Sequence, residues 1–236
     1  MRLELNFIVE NNELPIEFRK TLVSFFKNVI ESYDRDLFKK LYDIGQEKRI
    51  TFAPFFTPLQ FNQDKIILKN NNVKVIFSAE DDLLGLHYFN AFLQNLNNSY
   101  NLKQNTLTLI RAVKIKEKKI EDNEAVFKLL SPLIIREQLN EKKSWYHLMD
   151  EKGLTILKRN LLTTLKADFP EKYINELKII PLETKKAIIT FYGIKMQGNL
   201  GLLKIIGRKE ILNSLYKSGA LSSRKSMGFG LLEIIE

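Results

Sequence analysis

Gly219-Ala220-Leu221-Ser222-Ser223-Arg224-Lys225-Ser226-Met227-Gly228-Phe229-Gly230-Leu231-Leu232-Glu233 places small residues, hydroxyls and two adjacent cations between a helix and the last strand of the chain. Small residues let backbone N–H groups approach phosphate oxygens, hydroxyls add donors, and Arg224 and Lys225 offer charge-assisted contacts. The stretch predicts a phosphate cradle with Gly219, Ser222, Ser223, Arg224, Lys225, Ser226 and Gly228 as contacts. It is not a P-loop, because no Gly-x-x-x-x-Gly-Lys-Ser/Thr run exists. Nor is it a dinucleotide fingerprint, since a strand follows it and not a helix.

Charge outside the loop points the same way. The 236 residues carry 37 Lys plus Arg against 28 Asp plus Glu, a net charge of +9. Residues 185–236 hold nine Lys plus Arg against three Asp plus Glu, a surplus of six. A basic surface near a Gly/Ser loop is the electrostatic footprint of a nucleic-acid binder.

With 44% hydrophobic residues the chain can bury a large core, which argues against disorder. It has no cysteine, so disulfides, thiolate zinc sites, iron–sulfur clusters and cysteine nucleophiles are excluded. Only His87 and His147 are present, so a His-rich metal site is excluded too, and no cofactor is implied. Glu80-Asp81-Asp82 reads as a helix start and not a magnesium site. No apolar run approaches the roughly 18 residues a spanning helix needs. The alternating Met1-Arg2-Leu3-Glu4-Leu5-Asn6-Phe7-Ile8 is no signal peptide, and a soluble cytoplasmic protein without membrane contact is expected.

Periodicity gives the organisation. Leu3, Leu5 and Phe7 mark a strand, and a helix with buried Phe18, Leu22, Phe25, Phe26 and Ile30 is expected from about Pro15. A second helix, from Arg35 to about Asp43, should stop at Gly45. Extended segments are expected from Ile50, at residues 65–68 and at 73–77, with Asn70-Asn71-Asn72 as the turn of a hairpin. A helix after Asp82 has the predicted stripe Leu86, Phe89, Phe92, Leu93 and Leu96, and the strand of Leu107, Leu109, Val113 and Ile115 closes this half.

Charged residues 116–124 make a boundary between units at 1–120 and 121–236. The second half repeats the order: a strand at 125–135, a helix at 154–166, strands near 174–180, a hairpin over 185–206, a helix at 209–217 and a strand at 229–235. The fold class is therefore α+β, two tandem ferredoxin-like (RRM-like, βαββαβ) domains, the first with an added hairpin.

At Ser223-Arg224-Lys225-Ser226-Met227-Gly228-Phe229-Gly230 the chain resembles the CRISPR repeat-processing endoribonucleases of the RAMP superfamily, the Cas-six family. The family pattern is Gly-apolar-Gly, a basic stretch with a Ser, then Gly-Phe-Gly and an apolar strand. Here Ala220 and Ser222 stand where two of its glycines would be, which denies them glycine's freedom at φ > 0. Phe127-Lys128-Leu129-Leu130-Ser131-Pro132-Leu133-Ile134-Ile135-Arg136 is similar to the family's Ser-Pro strand, and Lys48-Arg49-Ile50-Thr51-Phe52-Ala53 to the segment before its second strand.

The resemblance implies two ferredoxin-like domains and metal-independent cleavage, in which a 2′-hydroxyl attacks the adjacent phosphate and leaves a 2′,3′-cyclic phosphate and a 5′-hydroxyl. It implies CRISPR repeat RNA within precursor transcripts as the partner, and leaves open effector-complex proteins and a homodimer. Where many members place a histidine, this chain has Tyr42, whose ordinary pKa near 10 makes it a poor base at neutral pH. Tyr42 and Lys48 are the catalytic candidates, with Arg49 and the glycine-rich loop as RNA contacts. A catalytically inactive relative that binds the repeat is the main alternative, favoured by the missing histidine. An RRM-type module is the other, opposed by Leu231 and Ile234 where stacking aromatics would stand.

Overall fold

The computed structural model describes residues 1–42, 48–102, 105–140 and 143–235. The first half runs β1 (Arg2–Val9), β2 (Glu13–Pro15), α1 (Phe18–Tyr33), α2 (Arg35–Tyr42), β3 (Ile50–Phe55), β4 (Pro58–Phe61), β5 (Lys65–Leu68), β6 (Asn72–Ala79), α3 (Asp82–Gln94), β7 (Ser99–Asn101) and β8 (Thr106–Ile115). Then come β9 (Glu124–Leu129), β10 (Ile135–Gln138), β11 (Ser144–His147), α4 (Glu151–Leu165), α5 (Glu171–Asn175), β12 (Lys178–Phe191), β13 (Ile194–Ile206), α6 (Lys209–Ser218), a 3-10 turn (Lys225–Met227) and β14 (Leu232–Ile234).

Two antiparallel sheets carry the fold, ordered β3-β6-β1-β8-β7 and β12-β13-β9-β14. Taking the strands of each βαββαβ unit as first to fourth, both sheets contain the order 4-1-3-2, which is the ferredoxin-like arrangement. The α+β tandem expected from the sequence is what the chain forms. The first core gathers Leu3, Leu5, Phe7, Phe25, Phe26, Phe52, Phe77 and Phe92. The second gathers Phe127, Leu157, Leu161, Leu203, Ile205, Leu212 and Leu215.

Several element expectations are corrected. Pro15 pairs with Lys65 in β2, so α1 starts only at Phe18. The added hairpin is β4–β5, which with β2 makes a separate three-stranded sheet, while β6 pairs with β1 and β3. The Asn70-Asn71-Asn72 turn therefore joins two sheets and closes no hairpin. The buried face of α3 is Gly85, Tyr88, Ala91 and Phe92, and Leu86 and Leu93 are 44% and 41% exposed. The 125–135 strand is broken at Ser131-Pro132, because proline cannot continue the ladder, and Ile135 starts a separate hairpin with β11. Ile174 lies in α5, and Phe229 lies outside β14. The expected stop at Gly45 is outside the described residues. Among the described residues no helix is long and apolar enough to cross a membrane.

The halves are joined through buried polar contacts. Arg2, 1% exposed, donates to Glu233 Oε2 at 2.8 Å and to the Leu232 carbonyl, and its guanidinium lies 3.9 Å from the Tyr216 ring centre. Burial lowers its pKa against the opposing pull of Tyr216 and Glu233. Ser78 Oγ donates to the Lys217 carbonyl at 2.7 Å, and Thr51 Oγ1 to that of Phe229 at 2.9 Å. Residues 116–124 are docked, since Asn213 bonds both the N–H and the carbonyl of Ile120.

Candidate active site

The glycine-rich loop begins where α6 ends at Gly219, whose φ of +66 closes the helix in the left-handed region. Positive φ recurs at Arg224, Gly228 and Gly230, but not at Ala220 or Ser222. Those two replacements of glycine are tolerated because neither position needs the left-handed backbone. Gly228 does: a Cβ there would lie 2.6 Å from the Phe52 ring. Arg224 adopts αL as a non-glycine residue, a strained state of the kind that clusters at binding sites.

The Ser131-Pro132 break holds the loop. Ser131 Oγ accepts from the Leu231 N–H at 2.9 Å, and the Pro132 carbonyl from that of Gly230 at 3.0 Å. Ser222 Oγ accepts from the Ile134 N–H and donates to the Ser223 carbonyl, so this hydroxyl serves the loop itself. On the other side, Gly219 abuts Thr51 and Gly228 abuts Phe52 of β3. The loop is thus pressed between the two domains.

A cleft of about 290 Å³ opens along it, lined by Lys48, Thr164 and Ser222 through Ser226. A smaller recess of about 110 Å³ is lined by Val23, Phe26, Lys27, Tyr42, Lys48, Ile50, Ser226 and Met227. Lys48 and Ser226 line both. The structure therefore joins the predicted catalytic pair to the predicted cradle, although 174 residues separate Lys48 from Ser222 in sequence.

Within the recess the Tyr42 ring carries two ammonium groups, Lys48 Nζ at 4.5 Å and Lys27 Nζ at 5.0 Å from its centre. Lys48 Nζ also donates to the Leu41 carbonyl at 2.8 Å. Burial, and then the neighbouring Lys27 charge, lower the Lys48 pKa. The Tyr42 hydroxyl sits 2.9 Å from that of Tyr88, and burial raises the Tyr42 pKa against this bond. Tyr42 is therefore held protonated at neutral pH, while Lys48 is shifted toward the neutral amine a proton acceptor needs.

The other predicted contacts differ in kind. Gly219 and Gly228 shape the backbone. Ser223, Arg224 and Ser226 are half-buried at the cleft, and Lys225 lines it although only 8% exposed. Arg224 Nη2 donates to the Tyr146 hydroxyl at 3.4 Å. Arg49 does not line the cleft: its guanidinium meets Asp168 Oδ2 at 2.5 Å and Glu80 Oε2 at 3.7 Å. His147 bonds Glu137 at 2.9 Å in the β10–β11 hairpin, and His87 rests edge-on against Tyr33. Among the described residues no three His, Asp or Glu side chains converge as a metal site would need.

Sequence reasoning missed Lys27, Tyr88 and Thr164. Lys27 follows Phe25-Phe26 on α1 and gives no signal of its own, since only folding brings it to Tyr42. The spacing of Gly85, Tyr88 and Phe92 at i, i+3 and i+7 was a readable signal for a buried Tyr88.

A family profile described as CRISPR associated protein Cas6, C-terminal, matches residues 115–234. No curated protein matches the chain. Among solved structures, one described as an RAMP protein binding different RNA substrates has a TM-score of 0.82 at 19% identity over 100% of both chains. A Cas6-related protein from Pyrococcus furiosus has the same score and identity, over 100% of this chain and 98% of its own. A structure of CRISPR associated protein Cas6 has a TM-score of 0.74 at 18% identity, over 100% and 99%. These likenesses are of fold.

Proposed function

Because the chain belongs to the CRISPR-associated Cas6 family, whose profile spans half of it, we propose that it is an endoribonuclease that binds CRISPR repeat RNA in precursor transcripts and cuts it without a metal. The observation that carries this is the double role of Lys48, which lines both the cradle of Ser223, Arg224 and Ser226 and the recess of Lys27 and Tyr42. A phosphate in the cradle meets an amine of lowered pKa on one side and cationic groups on the other. The solved relative described as binding different RNA substrates supports an RNA ligand.

In this reading the Lys48 amine takes the proton of the 2′-hydroxyl as its oxygen bonds to phosphorus. The bond from phosphorus to the 5′-oxygen breaks, and Lys27 gives that oxygen a proton, leaving the cyclic phosphate and a 5′-hydroxyl. Arg224 and the loop hydroxyls of Ser223 and Ser226 stabilise the charge on the pentavalent phosphate. Tyr42 supplies its ring face to both lysines.

The test is incubation with the host's repeat RNA in EDTA, beside RNA carrying a 2′-deoxy at the cut site. Cutting of the first and not of the second is expected. Loss of cutting in EDTA, or cutting of the deoxy RNA, overturns the mechanism. A second reading, a binder that does not cut, is favoured by Tyr42 in place of a histidine with its hydroxyl bonded to Tyr88. Tight binding without product would establish it.

A further inference from the structure

Arg49 was expected to touch RNA, yet its charge is directed to carboxylates from both domains. Its Nη2 meets Asp168, just beyond the end of α4, and its Nη1 faces Glu80 at the end of β6. Glu80 in turn accepts from Ser214 Oγ of α6 at 2.5 Å and gives its N–H to the Arg49 carbonyl at 3.0 Å. The order Asp168, Arg49, Glu80, Ser214 thus crosses from the second domain to the first and back. Its first two members adjoin the working parts: Lys48 precedes Arg49, and Thr164, one helical turn before Asp168, lines the same cleft as Lys48.

We propose that Arg49 and Asp168 pin α4 to the start of β3 and so hold Lys48 in register with the glycine-rich loop, as positioning residues for the cleavage proposed above. Partly exposed ion pairs contribute little to folding. Their geometric effect is larger, because a misplacement of about 1 Å at a reacting group can cost on the order of a hundredfold in rate.

The test combines single-turnover cleavage and RNA binding for Arg49→Met, Asp168→Asn, Asp168→Glu and the double variant Arg49→Met/Asp168→Asn. A pin predicts cleavage slowed about tenfold or more in either single variant, with the Kd for RNA within about twofold. The double variant should be no slower than the singles, and Asp168→Glu should recover most of the rate. Weakened RNA binding by Arg49→Met with Asp168→Asn silent, or additive losses, would overturn the pin and make Arg49 a phosphate ligand.

The chain has no cysteine, so spin labels at Glu31→Cys and Lys172→Cys report the domain separation directly. Broadening of that distance by Asp168→Asn is expected, and an unchanged distance overturns the pin. Should the unaltered protein bind RNA and cut none, the cleavage reading fails while the label distance still decides the pin.

Discussion

The hydroxyls of Tyr42 and Tyr88 lie 2.9 Å apart, so removing one leaves its buried partner without a bond. Tyr42→Phe should therefore lower stability by about 1–2 kcal/mol, seen as a fall in Tm. Its ring still faces Lys27 and Lys48, so cleavage should fall less than about threefold, whereas Tyr42→Leu, which removes a cation–π surface, should lose about tenfold or more. Both tyrosines have raised pKa values through burial. Their share of stability is thus intact below the ordinary value of 10.0 and is lost as pH rises beyond it. Burial also raises the Tyr216 pKa, so alkaline titration followed by tyrosinate absorbance should show three late-ionising groups, one fewer in Tyr42→Phe.

Lys48 sets the expected pH dependence of cleavage. Its folded pKa lies below 10.5, from burial first and Lys27 second. Cleavage should rise with pH through that lowered value as the Lys48 amine becomes able to accept the proton. Lys27→Met removes the second cause, so the inflection should move upward, and the rate should drop with the lost proton donor. Stability has the same sign: between the lowered pKa and 10.5 the unfolded chain binds the extra proton, so stability at this group rises with pH.

Gly228 and Gly193 separate backbone strain from contact. Both have positive φ, +85 and +72, but a Cβ at Gly228 meets the Phe52 ring at 2.6 Å while one at Gly193 meets nothing. Gly193→Ala should cost about 1 kcal/mol, the αL penalty alone. Gly228→Ala adds overpacking and should cost about 2–4 kcal/mol. Thermal unfolding gives both, and equal losses would show that Phe52 moves aside freely.

On the proposed function, Arg224 trades stability for binding. It holds φ +63, and its Nε is buried without a hydrogen bond. Arg224→Gly should raise stability by about 1 kcal/mol while weakening RNA binding and shrinking the salt slope of log K by about one unit. A steeper slope with tighter binding would remove it from the RNA contact.

The terminal loop was legible because its glycines, hydroxyls and charges are contiguous and the backbone needs them where they stand. The 4-1-3-2 sheets were legible because each strand and helix has its own period. What escaped depended on distant partners. Arg49 reads as an RNA contact until Asp168, 119 residues away, comes to meet it. The surplus of positive charge after residue 185 is likewise reduced, since Lys204, Lys209 and Lys217 face Glu124, Glu121 and Glu117. The stripe of α3 holds at Phe92, which is buried, and at Phe89 and Leu96, which pack against the core, but Leu86 and Leu93 are exposed and a polar-headed tyrosine fills the core in their stead.

The seating of the glycine-rich loop between β3 and the Ser131-Pro132 break also bears on biosynthesis. Residues 219–231 leave the ribosome after both of the surfaces that receive them, so the first sheet and all of the second but its last strand, β14, are made before the site exists. On the proposed function, a nascent chain stalled before Gly219 would carry Lys27, Tyr42 and Lys48 without a cradle to present phosphate to them, and the unfinished protein would leave passing RNA uncut.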